Sequence, residues 1–172
     1  MVKVAQAFVV VCLAFGVLAG TAAAGRWDEW TGPVTGTFGK NFSDLSCAPV
    51  PGYDFQWSVH YRGTVDTGGS TADLAVDACV TDPGHGGEQF VGSFSLRDGK
   101  GTLRGYAAGH EEYYGVTYFQ IALRNAAHGP IRLIFQGCNT RSVFETGEAL
   151  LDATIGRADA PTDRSCTGLV GL

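Results

Sequence analysis

Along residues 55–62, Phe55, Trp57, Val59 and Tyr61 alternate with Gln56, Ser58, His60 and Arg62, so one face of this segment is apolar and the other polar. A period of two residues predicts a half-buried β-strand. The same alternation recurs over 72–78, where Asp73 and Asp77 mark the polar face, with the turn residues Asp66-Thr67-Gly68-Gly69-Ser70 between the two runs. Further runs over 90–96 and 102–107 flank Asp98-Gly99, a dipeptide that predicts a tight hairpin. Segments 116–123 and 131–136 are apolar on both faces, and 34–38 and 149–155 complete a set of about eight strands at nearly regular spacing. No helical period longer than about ten residues interrupts them after residue 24.

Strands at such spacing predict an all-β fold: a single antiparallel β-barrel of about eight strands, with a β-sandwich as the alternative. Closure removes exposed strand edges, and eight strands enclose room for side chains or one small ligand. Gly92 and Gly105, inside predicted strands, suit the sharp bends of a small barrel. Which way the residues of 116–124 point is open. Tyr118, Gln120 and Arg124 share one face, Phe119, Ile121 and Leu123 the other, and only the first set would give an interior a few polar groups.

The chain begins differently. Lys3 precedes the apolar run 7–18, and Ala22-Ala23-Ala24 closes it with small residues, the order of a cleavable secretory signal. The apolar core is shorter than the about 20 residues a membrane span needs. The expected organisation is a signal peptide over 1–24, a barrel domain over 25–156 and an extended arm over 157–172. Cleavage after Ala24 would leave 172 − 24 = 148 residues, a usual size for one domain.

Charge and cysteines narrow the picture. Lysines and arginines number 12 against 17 acidic residues, a net charge of −5, which argues against a nucleic-acid partner or an anionic membrane surface. Loss of the signal would remove Cys12 and leave Cys47, Cys79, Cys138 and Cys166, an even set that reads as two disulfides in an exported protein. Predicted strand ends favour Cys79 with Cys138, leaving Cys47 to tether the tail at Cys166. No zinc-type cysteine or histidine spacing and no phosphate-binding glycine loop is present, so neither a metal nor a cofactor is expected. Asn41-Phe42-Ser43 matches a glycosylation sequon.

The densest polar cluster is His110-Glu111-Glu112-Tyr113-Tyr114, in a predicted connection before the strand at 116. Adjacent carboxylates beside a phenol suit acid/base chemistry, which makes Glu111 and Glu112 candidate bases and Tyr113, Tyr114 and Tyr118 candidate proton donors. His85 and Glu88, with His110, are an alternative metal set, while His60 and His128 show no partner along the chain. No serine elbow of the hydrolase type is found.

The hairpin Gly92-Ser93-Phe94-Ser95-Leu96-Arg97-Asp98-Gly99-Lys100-Gly101-Thr102-Leu103-Arg104-Gly105 resembles the G-x-F and G-T-L-x-G hairpins of exported barrels related to allene oxide cyclase and dirigent proteins. The resemblance implies a barrel whose cavity works without a cofactor. Three functions follow as expectations: a secreted module that binds a small apolar or amphipathic ligand in the barrel, lined by Trp57, Tyr61, Phe94, Tyr118, Gln120 and Phe135; a cofactor-free cyclase or isomerase; and a loop-mediated interaction or inhibitor protein.

Overall fold

Each alternating run of the sequence lies in a strand of its own. A computed structural model describes residues 27–41, 47, 54–82, 88–113, 117–125, 129–139 and 147–160. A 3₁₀ turn, η1 (Asp28–Trp30), leads into β1 (Gly32–Asn41), β2 (Asp54–Asp66), β3 (Thr71–Asp82), β4 (Glu88–Asp98), β5 (Gly101–Tyr113), β6 (Thr117–Arg124), β7 (Ile131–Asn139) and β8 (Gly147–Arg157). Every strand is antiparallel to the next, and β1 also pairs with β8, so the sheet closes into an eight-stranded barrel. Closure decides against the sandwich. The segment expected to be a signal peptide, 1–24, and the part of the expected arm 157–172 that follows residue 160, with Cys166, lie outside the described residues.

The turns follow from their residues. Gly99-Lys100 joins β4 to β5, and the Asp98 carboxylate accepts hydrogen bonds from the backbone N–H of Lys100 (2.8 Å) and Gly101 (2.9 Å). Between β2 and β3, Gly68 takes a φ of 76°, and its N–H donates to Asp66 Oδ1 at 2.9 Å. Positive φ favours glycine there. At Gly92 an added Cβ would lie 2.0 Å from the Asp77 carbonyl oxygen, and at Gly105 one would lie 1.7 Å from that of Arg124. The neighbouring strand occupies the space a side chain would need.

The interior is a continuous apolar core. Tyr61 stands in its middle, with ring centroids 4.8 Å from Phe38, 4.8 Å from Phe119, 5.3 Å from Phe135 and 6.5 Å from Phe90. Phe119, Ile121 and Leu123 are fully buried in it, which settles the direction of β6: Tyr118, Gln120 and Arg124 lie on the outer wall. Trp30 of η1 and Trp27, which precedes it, join the same core at one end of the barrel. That location is fixed by Glu29 against Lys100 (3.7 Å) in the β4–β5 turn and Asp28 against Arg157 (2.9 Å) at the end of β8.

Two expectations are corrected here. Cys79 pairs with Cys47, with Cα atoms 5.6 Å apart, not with Cys138. The reason is topological: β3 and β7 lie four strands apart in an eight-strand ring, whereas a disulfide needs Cα atoms within about 7 Å. Cys138 is itself in a disulfide whose partner lies outside the described residues. Strand β5, expected to end near residue 107, runs on to Tyr113, because Glu88 pairs with Glu111 on one side and Phe119 pairs with it on the other. The polar cluster is therefore strand rather than connection.

Candidate functional site

The extension of β5 brings one carboxylate into the barrel. Ala107 and Glu111 are buried on the inward side of the pleat, with Gly109 between them, while His110 lies on the opposite face. On β1 the inward series Val34, Gly36, Phe38 continues to Lys40. The Lys40 ammonium stands 3.4 Å from Glu111 Oε2, with side-chain exposures of 1 % and 0 %. Its Nζ lies 5.5 Å from the centre of the Phe38 ring and 5.7 Å from that of Trp57. An opposite charge and two aromatic rings thus lie near the ammonium.

Burial of such a pair costs several kcal/mol for each ion, and well-packed apolar residues of similar volume often do as well or better. Stability alone is a poor reason for a lysine inside this core. The pair also lies at the end of the barrel away from η1.

The residues singled out from sequence divide between the two sides of the wall. Trp57, Tyr61, Phe94 and Phe135 are inside the core. Tyr118 and Gln120 are outside, where the Tyr118 hydroxyl donates to Gln136 Oε1 at 3.4 Å and Gln120 Nε2 donates to the same atom at 3.1 Å. Tyr118 is therefore separated from Glu111 by the barrel wall, and the two do not form one acid/base site. Glu112 and Tyr113 belong to β5, but their side chains, like that of Glu88, lie outside what is described, as do Tyr114, His85 and His128 entirely. Among the described residues no three His, Cys, Asp or Glu side chains come together as a metal site.

Lys40 was missed from sequence, although its spacing of two from Phe38 was the signal that would have found it. A second cluster was missed because it depends on register. Asp77 sits opposite His60 across the β2–β3 ladder. His60 Nδ1 meets Asp77 Oδ1 at 2.6 Å, His60 Nε2 meets Ser58 Oγ at 3.2 Å, and Arg62 donates to the same Asp77 oxygen. Burial pushes the Asp77 carboxyl upward, but the hydrogen bonds from Arg62 and His60 outweigh it and hold the carboxyl below its ordinary value. The order of groups is that of a serine relay, yet Ser58 is only 3 % exposed and stands opposite the disulfide-bonded Cys79. The relay ties the outer face of β2 to β3.

In comparisons with protein-family models, with curated proteins and with solved structures, the chain matches none, so its own geometry carries the functional reading.

Proposed function

We propose that the protein is an exported binding module that takes a small amphipathic molecule at the Lys40 end of its barrel. The observation that carries this reading is the buried Lys40–Glu111 pair under the Trp57 and Phe38 rings. A hydroxyl head accepts from the ammonium and donates to the carboxylate, a carbonyl head accepts from the ammonium alone, and in either case an apolar body packs against Trp57. The ring belt around Tyr61 fills the middle of the barrel, so the ligand is held at this end rather than along the whole interior. Secretion, with residues 1–24 as the signal, agrees with the Cys47–Cys79 disulfide, since such bonds persist in oxidising compartments. A cofactor-free cyclase or isomerase is the second reading, favoured by one fact: the acid/base pair is inside the barrel.

Calorimetric titration with decanol and decanoic acid, alongside native mass spectrometry of the purified protein, tests the proposal. The expected result is one-to-one binding of decanol with a negative heat-capacity change, the mark of apolar burial. Lys40→Met alone leaves Glu111 without its ion-pair partner and should cost about 3–5 kcal/mol of stability, whereas Lys40→Met with Glu111→Leu should recover most of it. The double variant should nonetheless bind decanol at least tenfold more weakly. A folded wild-type protein that binds neither compound and carries no co-purifying molecule, or a double variant that binds as well as wild type, overturns the reading.

A further inference from the structure

Lys40 is one of three lysines in the chain, with Lys3 and Lys100, and of the two among the described residues it is the one that lies against aromatic rings and a carboxylate. Lys100, by contrast, is 72 % exposed. A lysine amine buried away from water is the kind that carbonyl chemistry uses, and a carboxylate 3.4 Å away is within reach to take and return protons. We infer that Lys40 captures an aldehyde or ketone ligand covalently, as a reversible imine, with Glu111 moving the proton; this deepens the binding reading above and rests on it.

The step balances within the pair and the ligand. Glu111 takes one proton from the Lys40 ammonium across the 3.4 Å contact, and the freed Nζ lone pair attacks the carbonyl carbon. A C–N bond forms, the carbonyl π pair moves to oxygen, and a second proton passes from nitrogen to that oxygen to give a carbinolamine. Glu111 then returns its proton to the hydroxyl, the C–O bond breaks and water leaves. The product is an iminium that keeps the third ammonium proton on nitrogen, paired with the restored Glu111 carboxylate. No oxidant, reductant or cofactor enters. The charge of the pair is the same before and after, so the buried site exchanges one ion pair for another and need not accommodate a lone charge. A carbonyl ligand is thereby distinguished from an alcohol of the same shape: both reach the site, and only the carbonyl forms the bond.

The test uses the intact protein with decanal and sodium cyanoborohydride, which reduces an iminium to a stable secondary amine, followed by peptide mapping. The expected result is a single decyl adduct on Lys40, formed at least tenfold faster than on Lys100 and suppressed by excess decanol. Glu111→Gln should slow trapping at least tenfold at saturating decanal, beyond whatever it costs in decanol affinity, and Lys40→Arg should abolish the adduct. Because either variant risks misfolding, the wild-type ratio of Lys40 to Lys100 labelling stands as an independent measurement. Decanol binding without a Lys40 adduct, or labelling of Lys100 at a comparable rate, overturns the covalent step and leaves the binding reading intact. Failure of both decanol and decanal to bind overturns the two together.

Discussion

Asp77 illustrates how much a single carboxylate on the barrel wall depends on the opposite strand. Its oxygen is shared by His60 and Arg62, both from β2, and these bonds hold its ionisation below the ordinary 3.8 despite partial burial. A depressed folded value means that the folded state binds the proton less readily than the unfolded chain. The stabilisation is therefore present above the unfolded value, near pH 4, and is lost as pH falls through the folded value. The side chain is about half exposed, so solvent screening keeps the effect below about 1 kcal/mol. Thermal melts of wild type and Asp77→Asn between pH 7 and pH 2.5 check this: the gap between them should be widest at neutral pH and close in acid. A gap that widens on acidification would contradict the assignment. At the same scale, the inward Lys40 and the outward Tyr118 were separated only by knowing which face of each strand meets the core.

At the scale of elements, the hairpins were legible because their turn chemistry is local. Asp98-Gly99 and Gly68-Gly69 specify their connections without help from distant residues, and the alternation over 55–62 is complete within one strand. The end of β5 was not legible, because polar residues 110–113 are held in the ladder by partners on β4 and β6 rather than by their own preference. The bends are a further property of pairs of elements. At Gly92 the Asp77 carbonyl oxygen and the Ala78 Cα lie 2.0 and 2.5 Å from where a Cβ would be. Gly92→Ala should accordingly destabilise the protein by about 1–3 kcal/mol in urea titrations, as crowding a packed contact does. Gly99→Ala, where a Cβ would meet nothing within 4 Å, should stay within about 0.5 kcal/mol of wild type.

For the whole molecule, closure of the ring decides which distant residues meet. It brings β8 back to β1, carries Lys40 and Glu111 into one interior, and keeps Cys79 away from Cys138. The Cys47–Cys79 bond spans 32 residues of chain, and constraint of the unfolded state by a loop of that size is worth about 3–4 kcal/mol. Replacing both cysteines by alanine should lower the melting temperature by roughly 10 °C for a domain of this size, with the barrel's β-type circular dichroism retained below the transition. An unchanged melting temperature would show that the bond adds nothing to the fold.

The sequence by itself determined the strand class, the number of strands, the hairpin turns and the acidic, cysteine-paired character of the chain, since each of these is written in periods, dipeptides and counts that neighbouring residues share. Only the tertiary structure decided which face of β6 points inward, where β5 ends, which cysteine takes Cys79, and that Lys40 meets Glu111. Those depend on register and on closure, and a lysine and a glutamate 71 positions apart carry no local mark of the contact that makes them a candidate site.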